Sequence, residues 1–167
     1  MLLLPAIVAL LIAPINSEPP VKKDEPFRTV AIPQREHGYM GFESRVISSQ
    51  KEFDDFVKDV EAQKFWNERA EFIDALRRAK LDFEKEILVL VRQTESSGSI
   101  EVKFTAAEAP DGNVACLISR KVPEIGTGDE AYHAFAIAVK KGVVKQVEVR
   151  VDDPKGKPRD TFVIPAK

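Results

Sequence analysis

At Asp82 the spacing of apolar residues changes, and that change divides the chain into a helical part and a strand part. Before it, Phe53, Phe56, Val57 and Val60 recur at i, i+3, i+4 and i+7, one stripe of an amphipathic helix. Ser49-Gln50-Lys51-Glu52 precedes them as a capping box, with Ser49 as N-cap and Glu52 reaching back. A second helix is expected over residues 65–80, where Trp66, Ala70, Phe72, Ile73, Leu76 and Ala79 make a broad apolar face. After Asp82, Ile87-Leu88-Val89-Leu90-Val91 is a continuous apolar run, expected of a strand covered on both faces.

Further strands follow in alternation. Ile100, Val102 and Phe104 alternate with polar residues, as do Val147, Val149 and Val151. Val114 to Ile118 forms another strand, and Phe162 to Ile164 a short final one. Phe135, Ile137 and Val139 alternate with Ala134, Ala136 and Ala138, and the alanine side would let a helix approach closely. Phe42 to Ile47 reads as a strand before the first helix. The connections are short, with Pro110-Asp111-Gly112-Asn113 and Lys140-Lys141-Gly142 as turns. Short connections favour antiparallel neighbours. The expected fold is α+β: two helices packed on one face of a five- or six-stranded antiparallel meander. Phe53, Phe56, Val60, Ile73 and Leu76 are expected to pack on the sheet face carrying Phe135 and Val149.

The first residues set the expected compartment. Leu2 to Ala13 is apolar and is followed by Asn16-Ser17-Glu18-Pro19-Pro20. A short apolar core with a polar exit is the pattern of a secretory signal peptide. It is too short to span a bilayer, which takes about 20 apolar residues. The expectation is a signal peptide over residues 1–17, a proline-containing linker or arm over residues 18–36, and a single domain over residues 37–167. The product would be secreted or periplasmic, with no stable membrane insertion after the signal is removed. In the arm, Phe27, Val30 and Ile32 could lay an edge strand on the domain.

Composition removes some functions. With 25 basic and 27 acidic residues the chain lacks the basic excess of a nucleic-acid binder. One cysteine, Cys116, cannot form an internal disulfide, and its apolar neighbours suit a buried, inert thiol. No H-E-x-x-H or cysteine pair signals zinc, and no cofactor is expected. Asp152-Asp153-Pro154-Lys155-Gly156-Lys157 lacks the alternating oxygen ligands of an EF-hand loop. Ser97 and Ser99 lack the G-x-S-x-G elbow of a hydrolase nucleophile.

Asp82-Phe83-Glu84-Lys85-Glu86 entering the apolar strand resembles the C-terminal domain of the PrcB-type protease-complex subunit family. The family's Thr-Gly-Gly-Tyr-like turn corresponds to Glu95-Ser96-Ser97-Gly98-Ser99, where only the glycine is kept. Its later Pro-Tyr strand entry is matched by Tyr132-His133 without the proline. The resemblance covers about residues 82–151. It implies a secreted or envelope-attached accessory protein and carries over no catalytic residue.

In a meander, alternate loops share one end of the sheet. That reasoning gathers the loops at residues 94–99, 123–130 and 152–160 into one surface. The candidate binding residues are Glu95, Ser97, Gly98, Gly126, Thr127, Asp129, Glu130, Asp153 and Arg159, with Tyr132 and His133 at the rim. The function expected is a non-catalytic accessory or binding module, a monomer acting through a protein partner. The alternative is a metal-independent hydrolase using loop carboxylates and His133.

Overall fold

The computed structural model describes residues 25–153 and 155–165. The apolar leader and the start of the arm lie outside the described residues. The elements run β1 (Phe27–Val30), a short 3-10 helix (His37–Gly41), β2 (Arg45–Ile47), α1 (Gln50–Glu61), α2 (Arg69–Arg78) and β3 (Glu86–Glu95). They continue with β4 (Glu101–Glu108), β5 (Val114–Lys121), β6 (Ala131–Lys140), β7 (Gln146–Asp152) and β8 (Pro158–Pro165).

The eight strands form two sheets of four, ordered β1-β6-β3-β2 and β4-β5-β7-β8. The first is antiparallel throughout. In the second, β5 and β7 are parallel while β4 and β8 are antiparallel to their neighbours. The fold is α+β in three layers: helices, central sheet, outer sheet. The single meander of five or six strands is therefore corrected. The chain leaves the outer sheet after β5, crosses the central sheet as β6, and returns as β7 beside β5.

Burial explains the crossing. β6 is apolar on both faces, as is β3, and a strand of that kind must be covered on both sides. The two pair over ten positions, from Glu86↔Lys140 to Glu95↔Ala131. β4, β5 and β7 alternate, so each has only one face to bury. They fit an outer sheet. The arm's expected edge strand is β1, paired with β6 from Phe27↔Val139 to Val30↔Ala136.

The pleat gives each face of the central sheet its own core. Leu88, Leu90, Ala134, Ala136 and Ala138 meet the helices, and Ile87, Val89, Val91, Phe135, Ile137 and Val139 meet the outer sheet. The small alanines let α1 and α2 lie close. Phe53, Phe56, Val60, Ile73 and Leu76 are buried as expected, but against the alanine face. Phe135 points the other way and stacks on Phe104 of β4 with ring centroids 4.7 Å apart. Val149 belongs to the outer sheet. The expected contact fails because odd and even residues of β6 lie on opposite faces.

Local signals set the helix ends. Ser49 Oγ accepts the Glu52 N–H at 3.2 Å, and the Glu52 carboxylate accepts the Ser48 N–H at 2.7 Å. α2 starts at Arg69, later than the expected residue 65. Trp66 sits in the connection before it, 1% exposed, its ring centroid 5.0 Å from that of Phe72. Phe72 also meets Tyr39, Phe42 and Phe56, so it is the hub of the helical core. Cys116 is buried between the sheets, and burial pushes its thiol up to about 12. Among the described residues no helix is long and apolar enough to cross a membrane.

The Phe72→Ala protein should lose about 3–5 kcal/mol of unfolding free energy in urea denaturation. Val163→Ala, on the exposed face of β8, should stay within about 0.5 kcal/mol of the parent. Equal losses would contradict the assignment of the helical core.

Candidate functional site

Two of the three expected loops meet. The β3–β4 and β5–β6 connections are joined by a knot of hydroxyls. Ser97 Oγ lies 2.9 Å from Ser99 Oγ and 3.1 Å from Thr127 Oγ1. Ser99 Oγ is 3.1 Å from Thr127 Oγ1. The Thr127 N–H donates to both serine oxygens at 2.9 Å. This backbone contact pins the β5–β6 loop to its neighbour. Gly126 and Gly98 are the points of closest approach. A Cβ on Gly126 would meet Ser97 Oγ at 3.0 Å, and one on Gly98 would lie 2.5 Å from both Arg35 and Asp129.

A strap from the arm closes over the knot. Residues 34–36 run along β6, with the Ala134 N–H donating to the Gln34 carbonyl at 3.1 Å and the Glu36 N–H to the Tyr132 carbonyl at 3.2 Å. That course delivers Arg35, whose Nη1 donates to the Gly98 carbonyl at 2.8 Å and whose Nη2 lies 3.8 Å from Asp129. Hydrogen bonding from Thr127 and from backbone N–H groups, with Arg35 adding less, holds the Asp129 carboxyl below its usual range. Beside this lies a groove of 460 Å³ lined by Arg35, Glu36, His37, Asp129, Glu130 and Tyr132. Tyr132 donates its hydroxyl to Glu130, and the His37 ring meets the Tyr132 ring edge-on at 5.8 Å.

The other expected residues lie elsewhere. Glu95 is not on a loop surface. It is 1% exposed and faces the outer sheet, where Arg120 Nε and Nη2 donate to its two oxygens at 2.7 and 2.5 Å. Gln93 Nε2 adds a third bond at 3.0 Å. Glu95 thus ties the two sheets together at the end of their shared core. His133 is 7% exposed rather than at the rim. Asp153 accepts the N–H groups of Lys155 and Lys157, both at 2.8 Å, and so shapes its own hairpin. Arg159 is exposed at the start of β8. That hairpin shares the loop end because β7 runs parallel to β5, but no hydrogen bond among the described residues links it to the hydroxyl knot.

Sequence reasoning missed Arg35, Ser99 and Ile125. Arg35 lay in a segment read as linker. Ile125 is 88% exposed at the tip of the pinned loop, and an isolated isoleucine between Glu124 and Gly126 breaks no period. Met40 and Phe65 are also exposed large apolar residues, on the 3-10 helix and the α1–α2 connection.

Ser97 and Ser99 hydroxyls bond one another and Thr127, and the buried His133 Nε2 has no hydrogen-bond partner. Hence no hydroxyl is coupled to that imidazole. Among the described residues no group of three or more His, Cys, Asp or Glu could hold a metal ion. No protein-family model, curated protein or solved structure matches the chain. The site is read from its own geometry.

His133 generates a pH prediction. Burial, then Arg35, pushes its pKa below the ordinary 6.5, with Glu95 and the Gln34 carbonyl opposing. The unfolded chain therefore binds the proton more readily than the folded one, and stability rises with pH in that range. Stability should be full above 6.5 and should fall as pH drops through 6.5 toward the depressed folded value. Urea midpoints measured in steps across this range should show that slope, and His133→Gln should flatten it. An unchanged slope in the variant would refute the buried neutral imidazole.

Proposed function

We propose that this chain is an exported, non-catalytic binding module that engages a protein partner through its loop end. The observation that carries the reading is the hydroxyl knot. It holds two loops in one arrangement before any partner arrives, so binding need not order them. The same end presents Tyr132 and His37 beside the groove and Ile125, Met40 and Phe65 to solvent. Exposed aromatic and aliphatic side chains on a rigid frame are the usual anchors of protein interfaces.

Export rests on the apolar leader with its polar exit, and the mature domain would begin near Glu18. The resemblance to the PrcB-type family gives the reading its particular form, an accessory subunit of a secreted or envelope protease complex. The hydrolase alternative, which uses loop carboxylates and His133, is less supported, since His133 is only 7% exposed and its Nε2 has no hydrogen-bond partner.

Affinity capture with the exported domain from its own secreted fraction should return a stoichiometric partner. Tyr132→Ala should weaken that complex about tenfold or more, the scale of one central aromatic contact. Asp111→Ala, at the tight-turn end, should leave it unchanged; because Tyr132 also packs on the helical core, capture is compared at a temperature where both variants are folded. Equal loss in both variants would refute the loop end as the binding surface.

A further inference from the structure

The two ends of the molecule differ in charge and shape. The loop 122–130 carries Glu124, Asp129 and Glu130 and no basic residue. Its tip is Ile125, 88% exposed, and its base is pinned where the Thr127 N–H donates to Ser97 and Ser99. Asp129 lies 3.8 Å from Arg35, so the acidic character of this stiff, apolar-tipped finger rests on Glu124 and Glu130.

The opposite end carries a groove of 790 Å³ between the end of α2, the start of β3 and the β6–β7 turn. Five basic and three acidic side chains line it. Arg28 is met by Glu86 at 2.9 Å and Lys85 by Asp82 at 2.8 Å, and Lys140 is engaged as well. Lys141 Nζ instead donates to the neutral carbonyls of Ser48 and Phe83, and its charge also acts on the nearby Glu52 carboxylate. Lys80 stands exposed at the rim, held there by a left-handed backbone, φ 47°, directly after α2. Val143, 58% exposed, gives the groove an apolar wall.

We propose that the finger of one chain docks in the groove of a second copy, making a head-to-tail assembly. Charge complementarity selects this occupant: an acidic finger with an apolar tip meets a groove with a basic excess and an exposed valine. The finger cannot reach the groove of its own chain. The ten residues of β3 separate the ends, with Glu86 lining the groove and Glu95 preceding the knot. At about 3.3 Å per residue that separation is roughly 30 Å. The contact is heterologous, so an open assembly keeps one finger and one groove unused at its ends unless a ring closes. This departs from the expected monomer, and it rests on the reading that the loop end binds protein.

The test uses Ile125→Asp, which spoils the finger, and Lys80→Glu, which spoils the groove. Both positions are exposed, so both variants should fold. Sedimentation of the parent should show a mass that rises with chain concentration and falls back in high salt. Each variant alone should be monomeric. Their mixture should form a dimer and stop there, because only one good finger and one good groove remain. A parent that is monomeric at every concentration, an Ile125→Asp chain that still associates, or a mixture that stays monomeric would each overturn the proposal. A monomeric parent whose captured partner is lost on Tyr132→Ala overturns only the self-docking. Self-association with no effect of Tyr132→Ala on capture overturns the partner reading instead.

Discussion

Everything in this molecule hangs on the pairing of β3 with β6. Ten consecutive positions are matched, and every side chain from Ile87 to Val91 and from His133 to Val139 is buried. Such a pair must have a layer on each face, and the rest of the chain supplies those layers. The helices cover the side of Leu88, Leu90 and the β6 alanines, and the outer sheet covers the side of Val89, Phe135 and Ile137. The Glu95–Arg120 pair closes the end of the second core. A buried ion pair of this kind is weak evidence for net stability, but leaving either partner alone is costly. Its effect here is to hold the two sheets in one register at the loop end.

The loop end inherits its rigidity from that pair. β3 ends at Glu95 and β6 begins at Ala131, directly opposite one another. The loops that leave them start from fixed points, and Ser97, Ser99 and Thr127 lock them together. Arg35 adds a third segment through Gly98 and Asp129. Because the frame is set on both sides, a side chain such as Ile125 can stand in solvent without being a loose tip. The opposite end is built differently, from cations placed by the end of α2 and the β6–β7 turn. The polarity of the molecule along β3 follows.

Much of the local structure could be read from residues. The capping box at Ser49, the buried run of β3 and the alternation of β4 and β7 are each short-range patterns. The partners were not legible. Alternation says that a strand has one wet face, not which strand lies beside it, and short turns made a meander the simplest choice. The clue was β6, whose alanine and Phe/Ile/Val faces are both apolar. A strand like that belongs next to β3, away from the half-exposed strands that flank it in the chain. Residues 97–98 and 126–129 lie together although the single meander is corrected, because β3 and β6 pair antiparallel and bring the β3–β4 and β5–β6 connections to one end. Glu95 was misread because its partner, Arg120, is 25 residues away and nothing in a run of Gln, Thr, Glu and Ser marks burial.

The central claim is that β3 and β6 form the shared layer on which both cores depend. Native-state hydrogen exchange measures it directly. The β3 and β6 amides should be the slowest in the protein and should exchange only through global unfolding, with the edge strands β1, β2, β4 and β8 opening earlier. If the slowest amides instead lie in β5 and β7 while β3 and β6 exchange with the edges, the outer sheet stands on its own and the account is wrong.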